Sequence, residues 1–153
     1  MAARDGDGWV ECRCGGKHWG LNGAAGLLLI RDGKLMMQHR APWVHNGDTW
    51  GLPGGARDSH ESIEEAAIRE SVEETGINPE HVRVLRIFTD DHGDWRYDTV
   101  IALADSTLET ANWNKETHDI GWFEIPEIEN LDLHPSFAKT WERLKGDIRE
   151  YFD

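Results

Sequence analysis

Residues 54–77 read GGARDSHESIEEAAIRESVEETGI, and six of them are glutamates in a chain whose formal net charge is −13. Both ends of a helix are written into this stretch. Ser62 and Glu65 form an S-x-x-E capping box, and Gly76 stands where a left-handed residue closes a helix, which predicts a helix over 63–75. On that helix Glu70, Glu73 and Glu74 fall at i, i+3 and i+4 and share one face; Ile63, Ala66 and Ala67 project from the same face one or two turns earlier. A solvated helix keeps its apolar stripe and its carboxylates on opposite sides. Here the stripe runs into three like charges, which costs repulsion and desolvation unless a cation sits among them. Glu64 and Glu65 point elsewhere and read as ordinary capping and helix-dipole residues. The Gly54-Gly55 pair ahead of the helix can let a carbonyl or a ligand approach closely. A glycine corner, a carbonyl and three convergent carboxylates make an oxygen-only site suited to Mg²⁺ or Mn²⁺, the ions that bridge substrate phosphates.

Outward from the helix the pattern alternates strands and turns. Two apolar runs, 23–31 and 34–40, flank Asp32-Gly33 and predict a β-hairpin. Residues 41–55 hold Pro42, Asn46-Gly47, Pro53 and the glycine pair, and read as a long loop with one short strand around Trp50. Strands are expected at 82–89, 97–104 and 121–124, and a last helix at 136–151 with apolar residues Phe137, Trp141, Leu144 and Ile148 three or four apart. This order predicts an α/β fold, a mixed sheet between helices, with a loop segment at 1–20 and one domain over 21–153.

Composition narrows the partners. A net charge of −13 argues against broad binding to nucleic-acid polymers, which depends on clustered Lys and Arg, so a polyanionic ligand needs metal ions or a local basic pocket. The longest apolar run, 23–30, is too short for a bilayer. The first residues lack the pattern of a secretory signal, so the expected compartment is the cytoplasm. Eight tryptophans are scattered along the chain and are expected mostly in the core.

The run Gly55-x5-Glu61-x7-Arg69-Glu70-Ser71-x-Glu73-Glu74-x-Gly76-Ile77 resembles the Nudix box, GX5EX7REUXEEXGU, at every fixed position; Ser71 departs from the usual aliphatic residue. The nearer likeness is to MutT-like members, on Arg40, Pro53-Gly54-Gly55 and Glu116 in NKETHDIGWF. That resemblance implies an α/β/α sandwich and metal-dependent hydrolysis of a nucleoside diphosphate linked to another group. It further implies that the Gly54 carbonyl, Glu70, Glu73, Glu74 and Glu116 hold the metals, that Arg69 orients the carboxylates, and that Glu61 supports the loop. Glu73 or Glu116 would accept the proton, and Arg40 and Trp50 would contact the nucleotide substrate. ADP-ribose or dinucleoside polyphosphate hydrolysis is an alternative: Gly93 stands where ADP-ribose enzymes tend to have proline, and Tyr97 is an off-spacing hint of the second class. A non-catalytic ligand-binding module is the third, against which all three carboxylates of the helix are present.

Three further groups complete the reading. Cys12, Cys14 and His18 have zinc-ligand chemistry but lack an obvious fourth partner, so the segment is expected to be a loop with Trp19 tucked against the sheet. Asp90, Asp91, His92 and Asp94 read as a solvated turn. Leu131–Pro135 is expected to close over the site, with His134 at the entry to the last helix.

Overall fold

The computed structural model describes residues 5–110 and 117–151. Strands β1 (Trp9–Glu11) and β2 (Lys17–Trp19) pair antiparallel as a small sheet of their own, where the sequence reading expects loop. Three-residue strands are too short to show a periodicity. What pairs them is cross-strand: Trp9 faces Trp19 edge-on with ring centroids 5.1 Å apart. Trp19 is 44% exposed and is not tucked against the main sheet, which corrects that expectation.

The hairpin of β3 (Ala24–Arg31) and β4 (Lys34–Arg40) forms where predicted. Asp32 and Gly33 both take positive φ, 51° and 72°, the pair of left-handed residues that matches the twist of two antiparallel strands. Short strands β5 (Trp50–Gly51) and β6 (Gly54–Ala56) follow, then α1 (Ile63–Thr75) over the predicted span. Strands β7 (Val82–Asp91), β8 (Arg96–Ala104) and β9 (Thr117–Phe123) all reach beyond their predicted N- or C-terminal ends, and α2 (Ile125–Ile128) and α3 (Pro135–Ile148) close the fold. The last helix gives way at Ile148 to a 3-10 turn, Arg149–Tyr151.

The main sheet runs β5-β4-β3-β8-β7, with β6 also paired to β3 and β9 to β4. β3 and β8 are parallel and the other pairs antiparallel, so the sheet is mixed. β3 is buried on both faces, which is why it reads as an unbroken apolar run rather than an alternation. Its Ala25, Leu27 and Leu29 pack with Ala66 and Ala67 of α1. Leu28 and Ile30 face the other way, against Phe137, Trp141, Leu144 and Ile148 of α3. Each fully buried leucine removes enough apolar surface to stabilise the fold by about 2 kcal/mol. The result is the α/β/α sandwich the sequence implied.

Asp90 is not part of a solvated turn. It lies buried near the end of β7, where Thr140 Oγ1 donates to it at 2.9 Å and Arg143 pairs with it, tying the strand to α3.

Candidate active site

α1 is fixed at both ends by its sequence. Ser62 Oγ accepts from the Glu65 amide at 3.1 Å while Glu65 returns a bond to the Ser62 amide at 2.9 Å, and Gly76 closes the helix at φ 71°. Ser71 is buried on the inner face, and its hydroxyl donates to the Ala67 carbonyl at 2.7 Å. That bond satisfies the polar atom where the family pattern has an aliphatic side chain, so the departure costs no orphaned donor.

With the helix set, Arg69 gathers the carboxylates. Its Nε and Nη2 donate to the two oxygens of Glu61 at 2.6 and 2.8 Å, Nη1 donates to Glu70 at 2.8 Å and to Glu73 at 3.5 Å, and Nη2 also reaches the Ala56 carbonyl at 3.1 Å. Asp58 lies 3.9 Å away, and its amide donates to Glu61. One guanidinium thus braces the turn before the helix to the helix itself, by the bidentate geometry only Arg offers.

Glu70, Glu73 and Glu74 share a face, as the spacing predicts, but stand at different depths. Glu74 is 3% exposed: its carboxylate accepts from the Gly54 amide at 3.0 Å and from Gln38 Nε2 at 3.2 Å, and Gln38 also donates to Thr117. Glu73 is outermost, its side chain 39% exposed. Glu70 lies flat against the glycine corner. A Cβ on Gly55 would sit 2.6 Å from the Glu70 carboxyl carbon, and one on Gly54 would sit 2.4 Å from the Ala25 carbonyl. Gly54 is therefore required by the close approach of backbone, whereas Gly55 leaves the space that the Glu70 carboxylate occupies.

Near Glu74 stands Tyr97, partly buried, with its hydroxyl in the space a Gly26 side chain would fill. Burial pushes its phenol well above the ordinary value, and the negative charge of Glu74 pushes it the same way, so Tyr97 is a neutral hydroxyl at any physiological pH. Neither Gln38 nor Tyr97 was singled out as part of the site from sequence. The signal for Gln38 was present: it is the one amide inside the apolar run LMMQ of a central strand.

The remaining predicted residues fall elsewhere. Arg40 ends β4 at a register irregularity beside His39, and its Nε donates to the His45 carbonyl at 3.1 Å, holding the 41–49 loop. Trp50 packs against His39 and Phe123 with the core on the α3 side, the sheet face away from α1. Its backbone bonds to Asp132 and His134, so the 131–135 segment is pinned to β5. His134 caps α3 through Nδ1, which accepts from the Ser136 amide at 3.1 Å. Burial, then the charges of Arg40 and His45, lower its pKa to about 4. Glu116 lies outside the described residues.

Among the described residues the acidic face of α1 presents the carboxylate oxygens of Glu70 and Glu73, with Glu74 at its base and the Glu70 carboxylate lying where a Gly55 side chain would be; oxygen donors of this kind suit a hard divalent cation. Comparison with known proteins agrees. A family model described as NUDIX domain matches residues 20–144. A Mycobacterium tuberculosis protein named "Putative 8-oxo-dGTP diphosphatase 3" is 46% identical over 152 residues, covering 92% of this chain and 70% of its own. A Bifidobacterium longum "Nucleoside triphosphate pyrophosphatase/Nudix hydrolase fusion protein" is 44% identical over 95% of this chain, which spans 32% of that protein. Among solved structures, a Nudix hydrolase from M. smegmatis, RenU, superimposes with a TM-score of 0.86 at 41% identity, covering 95% of this chain and 96% of its own.

Proposed function

This chain belongs to the NUDIX family of hydrolases, and from that premise we propose that it cleaves the phosphoanhydride of a nucleoside triphosphate, with an oxidised purine such as 8-oxo-dGTP as the leading substrate. Water adds to one phosphorus, the bridging P–O bond breaks, and a nucleoside monophosphate and inorganic pyrophosphate leave. The observation that carries this reading is the placement of Glu70 and Glu74 at the Gly54-Gly55 corner, with one arginine bracing Glu61, Glu70 and Glu73. The 8-oxo-dGTP assignment draws its support from the name of the relative at 46% identity.

Nudix hydrolases act with a divalent metal. In this chain Glu70, Glu73, Glu74 and the Gly54 carbonyl would hold it, joined by Glu116, and Mg²⁺ or Mn²⁺ suits that donor set. Such an ion, when bound, supplies positive charge against the phosphate chain and Lewis-acid activation of water. Glu73, the outermost carboxylate, takes the proton from the attacking water. Arg69 keeps Glu70 and Glu61 in place and touches no substrate. Arg40 contacts the substrate phosphates from the end of β4, opposite the acidic face in charge. Free Cys12 and Cys14 fit a reducing compartment, from which we infer the cytoplasm; among the described residues no helix is long and apolar enough to cross a membrane.

The test is chromatographic measurement of the nucleotide products from a panel containing dGTP, 8-oxo-dGTP, ADP-ribose and a dinucleoside polyphosphate, with Mg²⁺ and with EDTA. Highest kcat/KM on 8-oxo-dGTP, lost in EDTA and cut at least about a hundredfold in Glu73→Gln, is expected. Preference for ADP-ribose would overturn the substrate assignment, and a Glu73→Gln variant of natural turnover would overturn the role of that carboxylate.

A further inference from the structure

The C-R-C-G-G-K-H segment is folded more tightly than an ordinary loop. The Gly15 amide donates to the Cys12 carbonyl and the Cys12 amide to the Gly16 carbonyl, both at 3.0 Å, so the chain doubles back between the two strands of the N-terminal hairpin. Gly15 takes φ 92°, a conformation side chains other than glycine rarely adopt, with open space around it. The fold brings the ligand atoms of Cys12, Cys14 and His18 within 4.8 Å of one another, with Cys14 Sγ 3.1 Å from His18 Nε2. The turn between β7 and β8 packs against this cluster and brings a second imidazole, His92, beside it. The His92 ring lies 4.8 Å from that of His18, the His92 carbonyl accepts from Cys12 Sγ at 3.0 Å, and Trp95 stacks on His18 at 4.2 Å and 8°.

We propose that Cys12, Cys14 and His18, completed by the His92 imidazole, bind one Zn²⁺ that staples the N-terminal hairpin to the β7–β8 turn. Zinc in a Cys₂His₂ set has bonds of about 2.3 Å to sulfur and about 2.0 Å to nitrogen, which puts neighbouring ligand atoms roughly 3.5–3.8 Å apart. The three atoms already gathered lie within 4.8 Å of one another, and His92, its ring 4.8 Å from that of His18, moves to complete the set. On binding, both thiols release their protons to solvent, and the two thiolates neutralise the charge of the ion. The staple has something to hold: a sheet of two three-residue strands is marginal alone, and both of its tryptophans, Trp9 and Trp19, are largely exposed. The Arg13–Asp94 pair at 2.8 Å ties the same two turns but is open to solvent and contributes little by itself. None of the four ligands belongs to the acidic site on α1, and soft thiolates select a different ion from the one suited to its oxygens.

The experiment titrates the full chain with Co²⁺ and Zn²⁺ and follows two signals that carboxylates cannot produce. Co²⁺ bound by sulfur gives a thiolate-to-metal charge-transfer absorption, and Zn²⁺ at the site slows alkylation of Cys12 and Cys14, read by mass spectrometry on the natural sequence. The expected result is a charge-transfer band saturating at about one equivalent, displaced by Zn²⁺, weakened in Cys14→Ser, absent when Cys12→Ser and Cys14→Ser are combined, and reached only at about tenfold or more higher Co²⁺ in His92→Ala. Alkylation rates unchanged by Zn²⁺, or a band of undiminished intensity in Cys14→Ser, would overturn the site. Unchanged affinity in His92→Ala would overturn the fourth ligand.

Discussion

At the scale of single residues, Gly55 decides where Glu70 can be. A methyl group there would meet the Glu70 carboxyl carbon at 2.6 Å, and β6, paired to β3 on its other edge, leaves little freedom to retreat. Gly55→Ala is therefore expected to stay folded, move the Glu70 carboxylate, and lower kcat by about a hundredfold or more while KM changes little, since the metal's charge matters most in the transition state. Steady-state kinetics over a Mg²⁺ series checks it: natural kcat at natural Mg²⁺ dependence would show that Glu70 is not held by this contact. The identities of the acidic residues were legible in sequence because i, i+3 and i+4 spacing fixes a shared face. Their depths were not: Glu74 is buried because Gly54 and Gln38, distant in sequence, supply its hydrogen bonds. Arg40 and Trp50 were chosen by spacing, which could not show that Arg40 also holds the His45 carbonyl or that Trp50 packs with the core on the α3 side.

At the scale of elements, α3 begins on a histidine whose pKa is lowered to about 4 from the 6.5 of a free imidazole, by burial first and then by Arg40 and His45. The sign follows from the neutral form being the folded one. Above pH 6.5 both folded and unfolded chains hold a neutral His134; as pH falls below 6.5 the unfolded chain takes up the proton and stability is lost progressively down to about 4. Urea denaturation between pH 7 and 4 is expected to show a steeper loss in the natural protein than in His134→Asn, which keeps a capping acceptor but does not titrate. Parallel curves would mean that His134 does not contribute. The helices and the β3–β4 hairpin were legible because caps and the Asp-Gly turn are local signals. β1, β2, β5 and β6 were not, or only partly, since strands of two or three residues exist only through their partners.

At the scale of the whole molecule, a chain of net charge −13 concentrates carboxylates on a helix packed against its core, and among the described residues Arg69 pairs with Glu61, Glu70 and Glu73. A cation that binds only the folded form adds stability by mass action, about 2.7 kcal/mol at a hundredfold excess over its Kd, which for a chain of this size is several degrees in Tm. Thermal melts in EDTA and in millimolar Mg²⁺ are expected to differ by that amount in the natural protein and to draw together in Glu70→Gln. Identical melts in the natural protein would mean that the acidic face binds no ion tightly. The α/β/α architecture itself was legible because β3 is apolar along its whole length and both flanking helices carry one apolar stripe.

The pairing of β3 with β8 also has a bearing on time. Ala24 meets Tyr97 and Ile30 meets Leu103, so the parallel ladder at the centre of the sheet joins distant parts of the chain, while β3 and β4 meet across two residues. Closing that long loop is entropically costly and slow, whereas the hairpin can form early. The acidic helix docks on β3 and β6, so its three carboxylates converge only after the ladder has closed. Divalent cation is then expected to leave the refolding rate nearly unchanged and to slow unfolding by the full factor it adds to stability, a division that stopped-flow measurements in urea would show directly.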